Sequence, residues 1–188
     1  MNHLDQLEAQ SIYIFREAFN RIGKIAMLWS FGKDSNVMVH LARKAFFGNL
    51  PFPLIHCDTE LEMQEVYDFR EKYSKEWGVN LLAPICPPIE QTDASLPHAA
   101  RVAARKTLGL AEVIKEHQVD IILRGARHST DFDQELQLAM VNKQLSTVDT
   151  LFLAPSLNTQ FISSTLIREI FKLKGDISPF VPANVVKY

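Results

Sequence analysis

A short polar loop at residues 30–35 carries the strongest chemical signal in this sequence. It reads Ser-Phe-Gly-Lys-Asp-Ser and lies between an apolar run and a helix-like pattern. A glycine lets the backbone approach a ligand closely, and the free N–H groups at a helix start attract phosphate. We predict that this loop holds nucleotide phosphates through Ser30, Gly32, Lys33, Asp34 and Ser35. The alternative is a capped turn with an incidental lysine, because the loop is neither a Walker A sequence nor GxGxxG.

Two positions in the second half of the chain could also meet phosphate. Arg127 follows an apolar run and precedes a helical pattern, so its guanidinium could neutralise phosphate oxygens. Residues 163–165, Ser-Ser-Thr, offer hydroxyls and N–H groups at another helix start. The alternatives are a surface ion pair of Arg127 with Glu135 and an ordinary helix cap with a hydrophobic staple.

Apolar runs alternate with helical patterns along the chain, and this predicts the elements that position these residues. We predict strands at residues 25–29, 54–57, 79–83, 121–123 and 151–153. We predict helices at residues 5–20, 62–77, 99–116 and 131–144, and one that begins near Asp34 or Ser35. Another helix runs from a cap at Ser163 or Ser164 to about Lys174, and a short one starts at Pro182. Residues 84–97 are expected to be a loop.

This alternation predicts an α/β protein with one doubly wound, five-stranded parallel sheet over residues 1–188. Ligands in such sheets bind beyond the carboxyl ends of the strands, which is where the phosphate loop falls. The expected core comprises Ile25, Met27, Leu28, Leu54, Ile55, Leu81, Ile121, Ile122, Leu151 and Phe152.

Composition excludes several classes of protein. The chain has 20 Lys and Arg against 22 Asp and Glu, so its charge gives no general reason to bind nucleic acid or an anionic membrane. Its apolar runs are far shorter than the ~20 residues that a membrane helix needs, and no signal-peptide pattern begins it. Cys57 and Cys86 form no CxxC motif, so we expect two reduced thiols in a cytoplasmic protein and no cysteine-based metal site.

Residues 1–118 resemble one known family. The motifs that carry the resemblance are MLWS at 27–30, GKDS at 32–35, HLARKAF at 40–46, LPFPL at 50–54, HCDT at 56–59, CPP at 86–88 and AARKT at 103–107. They resemble the small subunit of ATP sulfurylase and the phosphoadenylylsulfate reductases, which are N-type ATP pyrophosphatases. The resemblance implies that the 30–35 loop holds ATP phosphates and that the loop containing Asp58 helps to hold the nucleoside.

Residues 119–188 resemble phosphopantetheine adenylyltransferase instead. The motifs include ILRGAR at 122–127, FLAPS at 152–156, FISSTLIRE at 161–169 and GDI at 175–177. This resemblance implies an ATP site lined by Gly125, Arg127, Glu135, Thr159, Ser163, Ser164 and Thr165. It also implies that Arg124 faces the acceptor phosphate. The fold shared by both families implies the strand order 3-2-1-4-5.

Each half lacks part of its family's pattern. None of the six histidines lies in the Thr/His-x-Gly-His motif of the transferase, and the sulfurylase part lacks that family's C-terminal portion. We therefore predict an engineered chimera of the two parts, 1–118 and 119–188, that binds ATP with Mg²⁺ and has weak or no catalysis. Lys33 and Arg127 are its catalytic candidates, and it is a homo-oligomer or a monomer.

Two other functions stay open. One is an active adenylyltransferase, in which sulfate or phosphopantetheine attacks the α-phosphate of ATP and pyrophosphate leaves. The other is a structural protein selected only for folding.

Overall fold

The computed structural model describes residues 3–125, 129–153 and 163–181. The helices are α1 (His3–Arg21), α2 (Lys33–Ala45), α3 (Gln64–Glu76), α4 (His98–His117), α5 (Ser129–Ser146) and α6 (Ser164–Lys172). The strands are β1 (Ile25–Leu28), β2 (Leu54–Ile55), β3 (Leu81–Leu82), β4 (Ile121–Gly125) and β5 (Asp149–Leu153). A short 3₁₀ helix, Ile89–Gln91, interrupts the loop expected at residues 84–97.

The five strands form one parallel sheet in the order β3-β2-β1-β4-β5. This order confirms the prediction. Its register places Met27 beside Leu54 and beside Leu123. Helices connect consecutive strands, so the polar loops that follow β1 and β2 meet at the carboxyl edge of the sheet, beside the end of β4.

The two faces of the sheet bury different sets of side chains, because successive residues of a strand point to opposite faces. Ile25 and Met27 pack with residues of α1 and α2. Ala26 packs on the other face, against Leu110 and Ile114 of α4. Both faces are therefore covered by helices, as an all-parallel sheet requires.

Most of the expected core is buried or half-buried, but Leu151 is 38% exposed. Leu151 pairs with Leu123 on β4, yet β5 is the last strand of the sheet order. An edge strand has a neighbouring strand on one side only, so its side chains lose less solvent contact than those of β1 or β2. The prediction of a buried Leu151 is wrong for this reason.

Several predicted boundaries also need correction. Helix α2 begins at Lys33 with Gly32 as its N-cap, so Asp34 and Ser35 lie in its first turn and not at its cap. Strands β2 and β3 are two residues long, although backbone hydrogen bonds continue the ladder from His56 to Leu82 and from Asp58 to Pro84. The predicted cap of α6 at Ser163 is present, and that helix ends at Lys172. The helix expected at Pro182 lies outside the described residues.

Candidate functional site

A cavity of about 210 Å³ lies at the carboxyl edge of the central strands. The ends of β1, β2 and β4 supply one wall, and α4 and α5 supply the other. Its lining comprises Leu28, Trp29, Ser30, Ile55, His56, Cys57, Ala103, Lys106, Thr107, Leu110, Arg124, Leu138 and Asn142. The cavity is therefore mostly apolar with a few convergent polar groups, which is the usual character of a small-molecule site.

The loop at residues 30–35 runs from the mouth of this cavity to the start of α2. The hydroxyl groups of Ser30 and Ser35 lie 3.1 Å apart, and the Ser35 hydroxyl donates to the Gly32 carbonyl oxygen at 2.9 Å. Since Gly32 is the N-cap, the first N–H groups of α2 point toward this loop. The loop thus has the geometry of an anion-binding helix start, with Lys33 and Asp34 in the first turn.

Phe31, and not Gly32, adopts the unusual backbone conformation of this loop. Gly32 has an ordinary φ of −69°, whereas Phe31 has a φ of +59°, in the left-handed region that disfavours side chains. The Phe31 ring packs against Trp29 and His56, with centroid distances of 4.4 and 4.6 Å. Asn36 also donates to the Phe31 carbonyl oxygen at 3.2 Å. Ring packing and this bond hold a strained residue next to Ser30, which lines the cavity.

His56 is buried in the cavity wall and is held in one tautomer. Its Nδ1 lies 3.2 Å from the Trp29 carbonyl oxygen, and only a protonated ring nitrogen can donate to a carbonyl. Burial lowers the pKa of His56, which favours the neutral ring. The Nε2 atom then carries a lone pair, and no group in the described part of the chain bonds to it.

Two further polar atoms of the cavity lining also lack partners among the described residues. They are Nε of Arg124, whose Nη1 donates to the Glu135 carboxylate, and Oδ1 of Asn142. A buried polar atom without a hydrogen bond costs about 1–3 kcal/mol. The three residues that carry these atoms all line this cavity, so polar side chains converge on it.

Asp58, predicted to hold a nucleoside, directs its carboxylate into the protein. It accepts from Arg70 at 2.7 Å, from the Tyr67 hydroxyl at 3.0 Å and from the Glu60 N–H at 2.8 Å. Burial alone would raise the pKa of Asp58, but these hydrogen bonds outweigh it and hold the pKa below its ordinary value. Asp58 therefore fixes the shape of the loop after β2.

Helix α4 contributes two cations that the sequence had marked only as part of a motif. Arg105 is buried and donates to the carbonyl oxygens of Pro87, Thr59 and Cys86 at 2.6, 3.0 and 3.3 Å. It thereby ties the loops after β2 and β3 to α4. Lys106 lines the cavity and pairs with Glu62 at 3.2 Å. Hydrophobic periodicity in a sequence does not predict side-chain contacts such as those of Arg105 and Lys106.

The structure brings together some of the predicted residues. Ser30 and Arg124 line the same cavity, Glu135 pairs with Arg124, and Gly125 ends β4 beside them. In α6, Ser163 accepts the Leu166 N–H at 3.1 Å as the cap, Ser164 begins the helix and Thr165 is exposed. Arg127 and Thr159 lie outside the described residues.

The fold defines a class of protein, the doubly wound α/β proteins with a five-stranded parallel sheet of order 3-2-1-4-5. Two solved structures share this architecture. The U34-tRNA thiolase NcsA from Methanococcus maripaludis matches with a TM-score of 0.55 at 17% identity, over 95% of this chain and 69% of its own. The phosphoadenylyl-sulfate reductase from Candida auris matches with a TM-score of 0.53 at 14% identity, over 93% of this chain and 87% of its own. At these identities the likeness concerns the fold alone.

The chain belongs to the phosphoadenosine phosphosulfate reductase domain family, whose sequence profile matches residues 24–161. Among its relatives is subunit 2 of sulfate adenylyltransferase from Stutzerimonas stutzeri, which is 44% identical over 135 residues. The same subunit from Zymomonas mobilis is also 44% identical over 135 residues. These alignments cover 70% of this chain and 44% or 45% of the relatives, so the chain matches less than half of their length.

These matches correct the hypothesis of an engineered chimera with weak catalysis, which is wrong. The family profile continues without a break through the proposed boundary at residues 118 and 119, to residue 161. No comparison supports the assignment of residues 119–188 to phosphopantetheine adenylyltransferase. The ILRGAR motif at residues 122–127 lies within the range that the family profile matches, so it does not mark a change of family.

The described residues lack both a membrane-spanning helix and a metal-binding cluster. No helix there is long and apolar enough to cross a membrane. No group of three or more His, Cys, Asp or Glu side chains in the described ranges is arranged to hold a metal ion.

Proposed function

We propose that this chain binds ATP and presents it for adenylyl transfer to sulfate. A sulfate oxygen would attack the α-phosphorus of ATP, and pyrophosphate would leave. The observation that carries the proposal is the cavity with three unpartnered polar atoms beside the 30–35 loop. The cavity offers a place for the nucleoside of ATP, and the loop offers a place for its phosphates.

The chemistry of a nucleoside suits this cavity. An adenine amine or a ribose hydroxyl can donate to Nε2 of His56 and to Oδ1 of Asn142, and Nε of Arg124 can donate to a ring nitrogen or an oxygen. The apolar lining around Leu28, Ile55 and Leu110 can contact the flat faces of a base.

The phosphate chain would then extend to the start of α2. The N–H groups of that helix and Lys33 would neutralise the charge that develops on the departing pyrophosphate, with Arg127 as a second cation. Mg²⁺ usually reaches such sites bound to the substrate phosphates with one or two carboxylates. Asp34, in the first turn of α2, is the carboxylate beside the loop, and Mg²⁺ would there supply charge neutralisation of the phosphates.

The acceptor and the partner follow from the relatives. The relatives are named as subunit 2 of sulfate adenylyltransferase. Sulfate is therefore the acceptor that we propose, and a companion subunit is the partner. Neither the near-neutral charge nor the described helices favour nucleic acid or a membrane as a partner.

Calorimetric titration with ATP and Mg²⁺ tests the nucleotide site. Lys33→Ala should weaken ATP binding by about 1.5–3 kcal/mol, the usual worth of a hydrogen bond to a charged group. The matched control is Lys115→Ala, which removes an exposed lysine near the far end of α4 and should leave the affinity unchanged. Equal affinities of the two variants, with unaltered circular dichroism, would exclude the loop as the phosphate site.

Pyrophosphate release tests the acceptor. The full chain, alone and with the companion subunit of a relative, would be assayed with ATP and either sulfate or phosphopantetheine. Release that depends on sulfate and is lost in Lys33→Ala supports the proposal. Release that depends on phosphopantetheine alone, or ATP binding without release in any combination, contradicts sulfate as the acceptor.

A further inference from the structure

The two cysteines, 29 positions apart in the sequence, meet at the carboxyl edge of β2 and β3. An isolated parallel bridge joins Asp58 to Ile85, and the Cys86 N–H donates to the Asp58 carbonyl oxygen at 2.7 Å. Cys57 precedes Asp58 and Cys86 follows Ile85. Because side chains alternate along extended backbone, both thiols lie on the face opposite to the bridged pair.

The two thiols are neighbours on that face. Both are reduced in the structure, and each affects the pKa of the other. The interaction between the two thiols raises the pKa of Cys57 and lowers that of Cys86, so Cys86 has the greater thiolate character. The nearby positive charges of Arg105 and Lys106 act on Cys86 in the same direction.

Each thiol also opens onto a different space. Cys57 lines the cavity of the candidate site, whereas Cys86 lines a second cavity of about 340 Å³ with Arg105, His98 and Glu60. Cys86 is pressed against α4 at Gly109, where an added Cβ would lie 3.2 Å from its Sγ. Cys86 is 2% exposed, and the second cavity is the space through which a small oxidant would approach it.

We propose that Cys57 and Cys86 form a redox-active dithiol that closes to an intramolecular disulfide. This redox chemistry does not require a bound nucleotide, although Cys57 also lines the candidate nucleotide cavity. The disulfide would join the loops after β2 and β3, which Arg105 already holds together. Hydrogen peroxide is the class of oxidant that fits the space.

The reaction balances in two steps. The Cys86 thiolate attacks one peroxide oxygen, the O–O bond breaks, and the hydroxide that leaves takes up a proton to become water. The Cys57 sulfur then attacks the sulfur of the Cys86 sulfenic acid, so that an S–S bond forms and the S–O bond breaks. A second water leaves with the Cys57 proton. The two thiols have lost two electrons and two protons, and the peroxide has gained them.

Peroxide treatment of the reduced full chain, followed by alkylation and mass spectrometry, tests the proposal. The expected product is a monomer that has lost two hydrogens, takes up no alkylating agent and yields a peptide linking Cys57 to Cys86. Dithiothreitol should restore two alkylatable thiols. Two unlinked thiols, over-oxidised cysteines without a link, or dimers joined by disulfides would overturn the proposal.

A thermodynamic measurement shows whether the folded structure favours the disulfide more than the unfolded chain does. The effective concentration of the two thiols in a glutathione buffer should be at least about tenfold higher in the folded chain than in urea. An equal or lower value in the folded chain would overturn the proposal. The Cys57→Ser and Cys86→Ser variants serve as controls, and each should retain one unlinked thiol. If a variant fails to fold, the measurement on the unmodified chain still tests the proposal.

Discussion

The most informative single substitution is Arg105→Lys, because it keeps the positive charge and removes only the shape of the donor. Arg105 spans three backbone carbonyl groups in two loops with its fork of N–H donors. Lysine has one nitrogen on a flexible stem, which can reach one of these carbonyl oxygens well but not all three. The other carbonyl groups would then lie buried without a donor.

The magnitude follows from the hydrogen-bond lengths. The contacts with Pro87 and Thr59, at 2.6 and 3.0 Å, are strong, while the contact with Cys86, at 3.3 Å, is weak. A hydrogen bond from a charged donor contributes about 1.5–3 kcal/mol. The loss of one strong and one weak contact should lower the free energy of unfolding by about 2–4 kcal/mol.

Urea unfolding followed by circular dichroism measures this free energy. Arg16→Lys is the matched control, since Arg16 is exposed and donates to a single carbonyl oxygen, that of Ala45, at 2.8 Å. It should cost less than about 1.5 kcal/mol, because Arg16 is exposed and a lysine there still offers one charged donor to the single carbonyl oxygen. If Arg105→Lys costs no more than Arg16→Lys, the three contacts do not hold the loops and the reasoning is refuted.

Three further predictions concern stability. Hydrogen bonds hold the pKa of Asp58 below its ordinary 3.8, so the wild type should lose stability as the pH falls below that value. The Asp58→Asn variant should lose less stability over the same range. Unfolding measured as a function of pH in acid tests this difference. Burial lowers the pKa of His56, so the unfolded chain takes up a proton before the folded chain as the pH falls below 6.5. The free energy of unfolding of the wild type should therefore decline below that pH. An equal decline in a His56→Gln variant would contradict this assignment. Leu54 is fully buried, whereas Leu151 lies on the edge strand. In urea unfolding, Leu54→Ala should lower the free energy of unfolding by about 2–5 kcal/mol, and Leu151→Ala should lower it by clearly less. Equal losses would argue against the edge position of β5.

The candidate site divides into a part that the sequence predicts and a part that it cannot. The 30–35 loop is contiguous, so its glycine, lysine and position between β1 and α2 are visible in the sequence. The cavity beside it is not contiguous, because His56, Arg124 and Asn142 come from three separate elements. Their unpartnered atoms are a property of how those elements pack.

Local conformation within the loop also escaped prediction. Glycine at position 32 suggested the special backbone geometry there, but the left-handed residue is Phe31, held by Trp29 and His56. Those contacts join β1 to the loop after β2. A neighbour that is distant in sequence therefore determines the backbone of a residue whose own preference is against it.

The sequence by itself determined the alternation of strands and helices, the parallel sheet and the place of the 30–35 loop, since each follows from residues that are adjacent or periodic. Only the tertiary structure decided that Asp58 faces Arg70, that Arg105 spans two loops, and that Cys57 meets Cys86. The physical reason is that a parallel sheet brings successive strand ends to one edge after long helical connections. Side chains that are tens of residues apart become neighbours there, and their hydrogen bonds and pKa values depend on that packing.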